Sequence, residues 1–329
     1  LSVFIQPTTI YKYNALNCGY ANSADDASSA EYGYGINDRS CYKGTDDNFK
    51  GSGGRHAVTN NARLNSSAGS NLETGRTYGL TVNAGISVGS KASSWDTHPG
   101  AVYVTFNNCE SIDSEAACGG RSPHTVHNNP IARNCPSFFK LYPSLVSGNG
   151  VDITINNPTG SCDRFIDYAL GGASATGLSN ADIKVNGGHV KTKLGQGGIY
   201  LGSDYAGTLA NLPITLTIKS TVFSGQVTGA AGGLLLIEDD TDASRVILDN
   251  VLINVDSIDA AFTGTLKIVQ NYKTDNSLAT LVNTSITGVS APFFRAVENM
   301  DNRISNLNVM STETFVAGNG TAIPFSFTL

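Results

Sequence analysis

Charge is scarce in this sequence. Only 15% of its 329 residues are Asp, Glu, Lys or Arg, against roughly 25% in an ordinary soluble domain. No basic run occurs, and the formal charge is −6. That balance excludes nucleic acid as a partner, because phosphate binding takes clustered Lys and Arg. Long apolar runs are also missing. The most apolar stretch, Gly233-Leu234-Leu235-Leu236-Ile237, stops at Glu238, far short of the ~20 residues that span a bilayer, so no membrane insertion is expected. The opening Leu1-Ser2-Val3-Phe4-Ile5 has no basic start and no initiator Met. It reads as a processed product or a segment of something longer, not as a signal peptide. There is one Trp and there are two Met. No Cys-x-x-Cys occurs among Cys18, Cys41, Cys109, Cys118, Cys135 and Cys162, so neither zinc nor any other metal or cofactor is expected. These cysteines are expected to be buried, unpaired thiols packed as small apolar residues. What the chain has in quantity is Gly (36 residues), together with Ser, Thr and Asn, a composition that suits an all-β extracellular or virion protein.

A repeat organises most of the chain. Strand-like runs begin near Val102, Thr125, Val151, Ala181, Ile214, Arg245, Leu278 and Arg303, about 23 to 33 residues apart, within the range of solenoids. From about residue 160 a second run falls inside each repeat: Phe165-Ile166-Asp167-Tyr168, Gly198-Ile199-Tyr200-Leu201, Leu234-Leu235-Leu236-Ile237, Leu266-Lys267-Ile268-Val269 and Phe293-Phe294-Arg295-Ala296-Val297. Turn residues fill the intervals. Several first runs end in Asn pairs, Asn107-Asn108, Asn128-Asn129 and Asn156-Asn157, whose amides are placed to bond to the next coil. No coil buries its apolar face alone, whereas stacked coils share one core. The expected fold is all-β, a right-handed single-stranded parallel β-helix over residues 1 to 314, with irregular first coils over 1 to 50. Residues 315 to 329 leave the pattern as a C-terminal cap or docking segment.

Four of the five histidines (His56, His98, His124 and His127) fall within the same short stretch as Arg55, Asp96, Glu110, Asp113 and Arg121. Stacking the coils would bring these onto one wall. Asp96 and His98, two residues apart, share a face in extended backbone. The bland readings stand beside this one. Arg55 and Asp96 could form a structural salt bridge, His124 and His127 read as surface or turn residues, and Trp95 is either a sugar-stacking platform or a cover for a coil end. The acidic run Glu238, Asp239, Asp240 and Asp242 reads as a solvated turn before a Ca²⁺ site.

The order Gly53-Gly54-Arg55-His56-Ala57-Val58-Thr59, then Trp95-Asp96-Thr97-His98-Pro99-Gly100, then Gly119-Gly120-Arg121-Ser122-Pro123-His124-Thr125-Val126 resembles phage tailspike depolymerases of the pectate-lyase-like β-helix class, over roughly residues 30 to 165. The resemblance implies a homotrimer on a virion tail, extracellular, that works with other phage tail proteins and binds and cuts bacterial surface polysaccharide, capsule or lipopolysaccharide. Hydrolysis is favoured over uronate elimination. For hydrolysis Asp96 is the first carboxylate, with Asp46, Asp47, Glu110 and Asp113 competing for the second, and His98 and His56 adjusting proton affinity. For elimination His56 or His98 abstracts the proton while Arg55 or Arg121 holds the uronate. Trp95 and Glu110 complete the expected substrate contacts. The alternatives are a non-enzymatic glycan receptor-binding or structural β-helix and a secreted bacterial polysaccharide lyase.

Overall fold

The computed structural model describes residues 81–90, 93–97, 103–120, 123–141, 151–169, 181–202, 214–228, 234–240, 244–272, 277–289, 294–316 and 322–328, and the backbone of short strands between residues 9 and 75. Among them the regular structure is all strand. Each coil contributes three strands, and like strands stack on like. The first set forms an eleven-stranded sheet ordered by coil, in which Val104–Asn107, Thr125–Asn128, Val151–Asn156, Ala181–Asn186 and Ile214–Lys219 follow one another. The other two sets make a second sheet of twenty strands, joined at the corner where Ile131–Leu141 and Thr159–Ala169 run through both sets. Every described pairing is parallel except the last, in which Ala322–Thr328 returns antiparallel along Asn308–Val316. This is a parallel β-helix.

Alternation explains why these segments coil. In Val151–Asn156 and Ala181–Asn186 every second residue is buried. The inward positions stack in register as Ile153, Ile183, Leu216, Val246 and Ala279, each fully buried. Burying such a side chain stabilises the fold by about 1.5–3 kcal/mol. The turn after each first strand needs one left-handed residue, and Asn108, Asn129, Asn157, Asn250, Asn283 and Asn306 supply it with φ between 47° and 58°. Asn tolerates that conformation at less cost than most side chains. The amides also bond from coil to coil, as their pairing in the sequence suggests. One ladder runs Asn83, Asn107, Asn128, Asn156 and Asn186 at 2.8–2.9 Å, and a second links Asn108, Asn129 and Asn157 at 2.9 and 3.1 Å.

The structure differs from the sequence reading in strand number. Two runs per repeat were expected and three strands are present, because in some coils the strand after the left-handed turn is short and polar, and in others (Val222–Val227, Leu252–Ile258) it follows the first strand so closely that the two read as one run. Glu110–Ile112 and His189–Lys191 each bury a single side chain, too little for a pattern to show. The described cysteines, Cys109, Cys118, Cys135 and Cys162, are free thiols. Burial pushes Cys109 and Cys162 up to about 12, so they are protonated and inert at neutral pH.

Candidate functional site

The expected constellation is only partly on view. Arg55, His56, His98 and Arg121 lie outside the described residues, as do Asp46 and Asp47. Trp95, Asp96, Glu110, Asp113, His124 and His127 are placed, and their surroundings bear on the roles assigned to them. Trp95 is fully buried, tilted against Phe106 at 6.2 Å, and its Nε1 donates to the Glu110 carbonyl at 3.3 Å. It is a core residue and no sugar platform, because its position in Ser93–Thr97 points it inward. Asp96 is fully buried too. A Cβ on Gly119, in the coil above, would sit 2.5 Å from Asp96 Oδ1, so the carboxylate lies over that glycine with no solvent face. A reacting carboxylate must reach substrate, and Asp96 does not. Glu110 is engaged by Arg133 in an ion pair on a different strand set. Asp113 accepts from Asn134 Nδ2 at 3.1 Å.

The two described histidines of the cluster divide. His124 is exposed, as expected, stacked on Tyr103 with ring centroids 4.7 Å apart, and its Nδ1 lies 3.1 Å from Asp152 Oδ2. Lys184 bridges Asp152 (3.5 Å) and Asp182 (2.6 Å) on the same outer face. The hydrogen bond to Asp182 raises Lys184 above its ordinary ammonium value. His127 differs from expectation. It is buried between Phe106, stacked at 4.8 Å, and Phe139, edge-on at 5.7 Å. Its Nε2–H donates to the Gly119 carbonyl at 3.2 Å, and burial lowers it to about 4. It is a neutral core imidazole.

The residues that do meet on an outer wall come from the third strand of each coil, the same stack that carries Asp96. Register places Lys140 against Asp167, Asp167 against Tyr200, Tyr200 against Glu238, Glu238 against Gln270 and Gln270 against Glu298. Strands stack ~4.8 Å apart, so the Asp167 and Glu238 backbones lie about 9.5 Å from each other with Tyr200 between them. Arg164 Nη1 holds Asp167 Oδ1 at 3.3 Å while its guanidinium lies 4.7 Å from the centre of the Tyr200 ring. Ser137 Oγ donates to Asp167 Oδ2 at 3.4 Å. The Glu238 carboxylate reaches back over Gly197, whose φ of +71° and lack of Cβ leave room for it; a Cβ there would be 3.0 Å from Oε2. A cavity of about 220 Å³ opens beside this group, lined by Ser137, Asp163, Arg164, Lys193 and Gln196 among others.

Further along, Lys267 pairs with Glu298 at 2.5 Å and donates to Gln270 at 3.2 Å. Tyr272 is 48% exposed; partial burial, with the negative charges of Glu238, Glu298 and Asp240, raises its hydroxyl. Glu238, Asp239 and Asp240 of the acidic run form no solvated turn, and Asp242 lies outside the described residues. Leu234–Asp240 is a strand, Glu238 faces the wall, and Asp239 is fully buried, accepting from Asn271 Nδ2 at 3.0 Å and from Ser244 Oγ. Among the described residues no group of three or more His, Cys, Asp or Glu could hold a metal ion.

Asp167, Tyr200 and Glu238 were legible in principle. Each follows an isoleucine (Ile166, Ile199, Ile237) of the second apolar run of its repeat, and aligning those runs on the isoleucine puts the three in one column.

No family model matches the sequence, and no characterised protein matches it by sequence. Among solved structures, the catalytic domain of a GH87 alpha-1,3-glucanase in complex with nigerose is similar over 76% of this chain, with 13% sequence identity and a TM-score of 0.49. The match covers 46% of that protein. So distant a likeness assigns neither site nor reaction.

Proposed function

We propose that this β-helix degrades bacterial surface polysaccharide by hydrolysis on the wall formed by the third strands, with Asp167 and Glu238 as the carboxylate pair. The observation that carries the reading is the register itself, which sets two outward carboxylates two coils apart, flanking an aromatic ring and beside a cavity. Two strand spacings, about 9.5 Å between the backbones, leave room for a water between two such side chains, the arrangement that inverting glycosidases use. In this scheme Asp167, oriented by Arg164 and Ser137, activates the water, and Glu238 protonates the leaving oxygen. Tyr200 lies between the two carboxylates, under the Arg164 guanidinium. The sequence motifs around Arg55, Asp96 and Arg121 support the further reading of a tailspike-like homotrimer acting outside the cell on a virion tail.

The test is release of reducing ends from a panel of capsular and lipopolysaccharide glycans, with ultraviolet absorbance followed in parallel. Asp167→Asn and Glu238→Gln should each lower reducing-end release by about 10²–10⁴-fold, the usual worth of a general acid or base, without changing the thermal unfolding transition. Undiminished release in both variants would sink the assignment. A parallel rise in absorbance would mean elimination and shift the chemistry to other side chains. Sedimentation of the purified protein as a monomer would overturn the trimer.

A further inference from the structure

A second, larger concavity lies around the corner from the cavity beside Asp167. It encloses about 560 Å³ and is lined by residues of four successive coils, including Asn134, Ser161, Thr192, Gln226 and Thr228. Four coils span three strand spacings, so the groove runs about 14 Å along the axis of the helix. Pro136, Asp163 and Lys193 line both concavities. The two are neighbours on one surface.

The chemistry of the lining is that of a hydroxyl binder. Its charges cancel: Lys193 holds Asp163 at 2.9 Å, and Lys191 holds Asp256 at 3.3 Å. What remains is amide and hydroxyl, with side-chain stems and the thiols of Cys135 and Cys162 as the apolar part of the floor. One polar group beneath it, Thr228 Oγ1, is buried and makes no hydrogen bond among the described residues.

We propose that this groove is a saccharide-binding track that runs along the helix axis side by side with the cavity beside Asp167 and takes a neutral, hydroxyl-rich glycan segment. The inference rests on the reading of the wall as a polysaccharide site. It adds that the enzyme grips sugar units on the strand set next to the one that cuts, and that these units carry no charge.

The experiment measures binding directly, by calorimetric titration of the full chain carrying Glu238→Gln. The probes are neutral oligosaccharides from disaccharide to decasaccharide, prepared from bacterial surface glycans, and uronate-containing ones of the same lengths. Affinity is expected to rise with length for the neutral series and to stay constant as salt is raised, since no charge is involved. Ser161→Phe fills the groove from an exposed position, and Gln226→Ala removes an exposed amide. Each should lower affinity for the long neutral probes by about tenfold, equivalent to one or two lost neutral hydrogen bonds, and leave disaccharide binding as it was. Affinity independent of length, or unchanged in both variants, overturns the groove. Binding confined to the uronate series and weakened by salt overturns its neutral character. Length-dependent binding that Ser161→Phe removes, in a protein with Glu238 intact that cuts nothing, keeps the groove and discards the hydrolytic reading.

Discussion

His127 shows how one residue can carry a pH response with no part in chemistry. Its imidazole is protonated near pH 6.5 in the unfolded chain but only near pH 4 when buried between Phe106 and Phe139. The unfolded state therefore binds more protons between these values, and stability falls as pH drops from about 6.5 to 4, by up to about 3 kcal/mol. Chemical denaturation across that range should show the slope, and His127→Phe should flatten it. Retention of the full slope in the variant would assign it to carboxylates instead. Single residues were also where the sequence misled most. Trp95 and Asp96 look like functional types, but a residue type does not state which way its side chain points. All five positions of Ser93–Thr97 are buried, and no alternation survives there to be read.

At the scale of the element the sequence was more informative. The first strands could be placed to within a residue or two: Arg245–Asp249 and Leu278–Val282 lie where the apolar periodicity puts them, and the Asn pairs marked the turns and their ladder. Third strands were visible as apolar runs, and the column they form emerges only when the runs of several repeats are aligned on Ile166, Ile199 and Ile237, because a single repeat does not reveal register. The Asn turn supports a prediction with two separable parts. Asn129 holds φ at 50°, donates to Asn108 and accepts from Asn157. Asn129→Gly should lose only the ladder bonds, about 1 kcal/mol for exposed amides. Asn129→Ala should lose those and a further 1–2 kcal/mol for a Cβ in left-handed backbone. Equal unfolding free energies for the two variants would show that the turn carries no such strain.

The described coils form a one-dimensional stack, in which the strands of a coil pair only with those of the coils before and after it. Its response to damage should be correspondingly local. Ile183, fully buried, faces Ile153 on one side and Leu216 on the other. Ile183→Ala should destabilise by about 2–5 kcal/mol, and faster hydrogen exchange should be confined to Val151–Asn156, Ala181–Asn186 and Ile214–Lys219. Acceleration reaching Leu278–Val282 would mean that the helix opens as one cooperative unit.

The wall described by Asp167, Tyr200 and Glu238 draws each member from a different coil, so the backbones that carry its carboxylates are a whole number of strand spacings apart. Two spacings leave room for the water of an inverting course; one brings two carboxyl groups toward the closer approach of a retaining course. The stereochemical outcome of such a site is thus counted in steps. A single exchange at the middle rung, Tyr200→Asp, moves the acidic partner of Asp167 from the second neighbour to the first while the interior column of Ile166, Ile199 and Ile237 stays as it is. If the wall hydrolyses glycans as proposed, a scaffold of this kind crosses between two reaction courses by substitution on one face, with its interior column untouched.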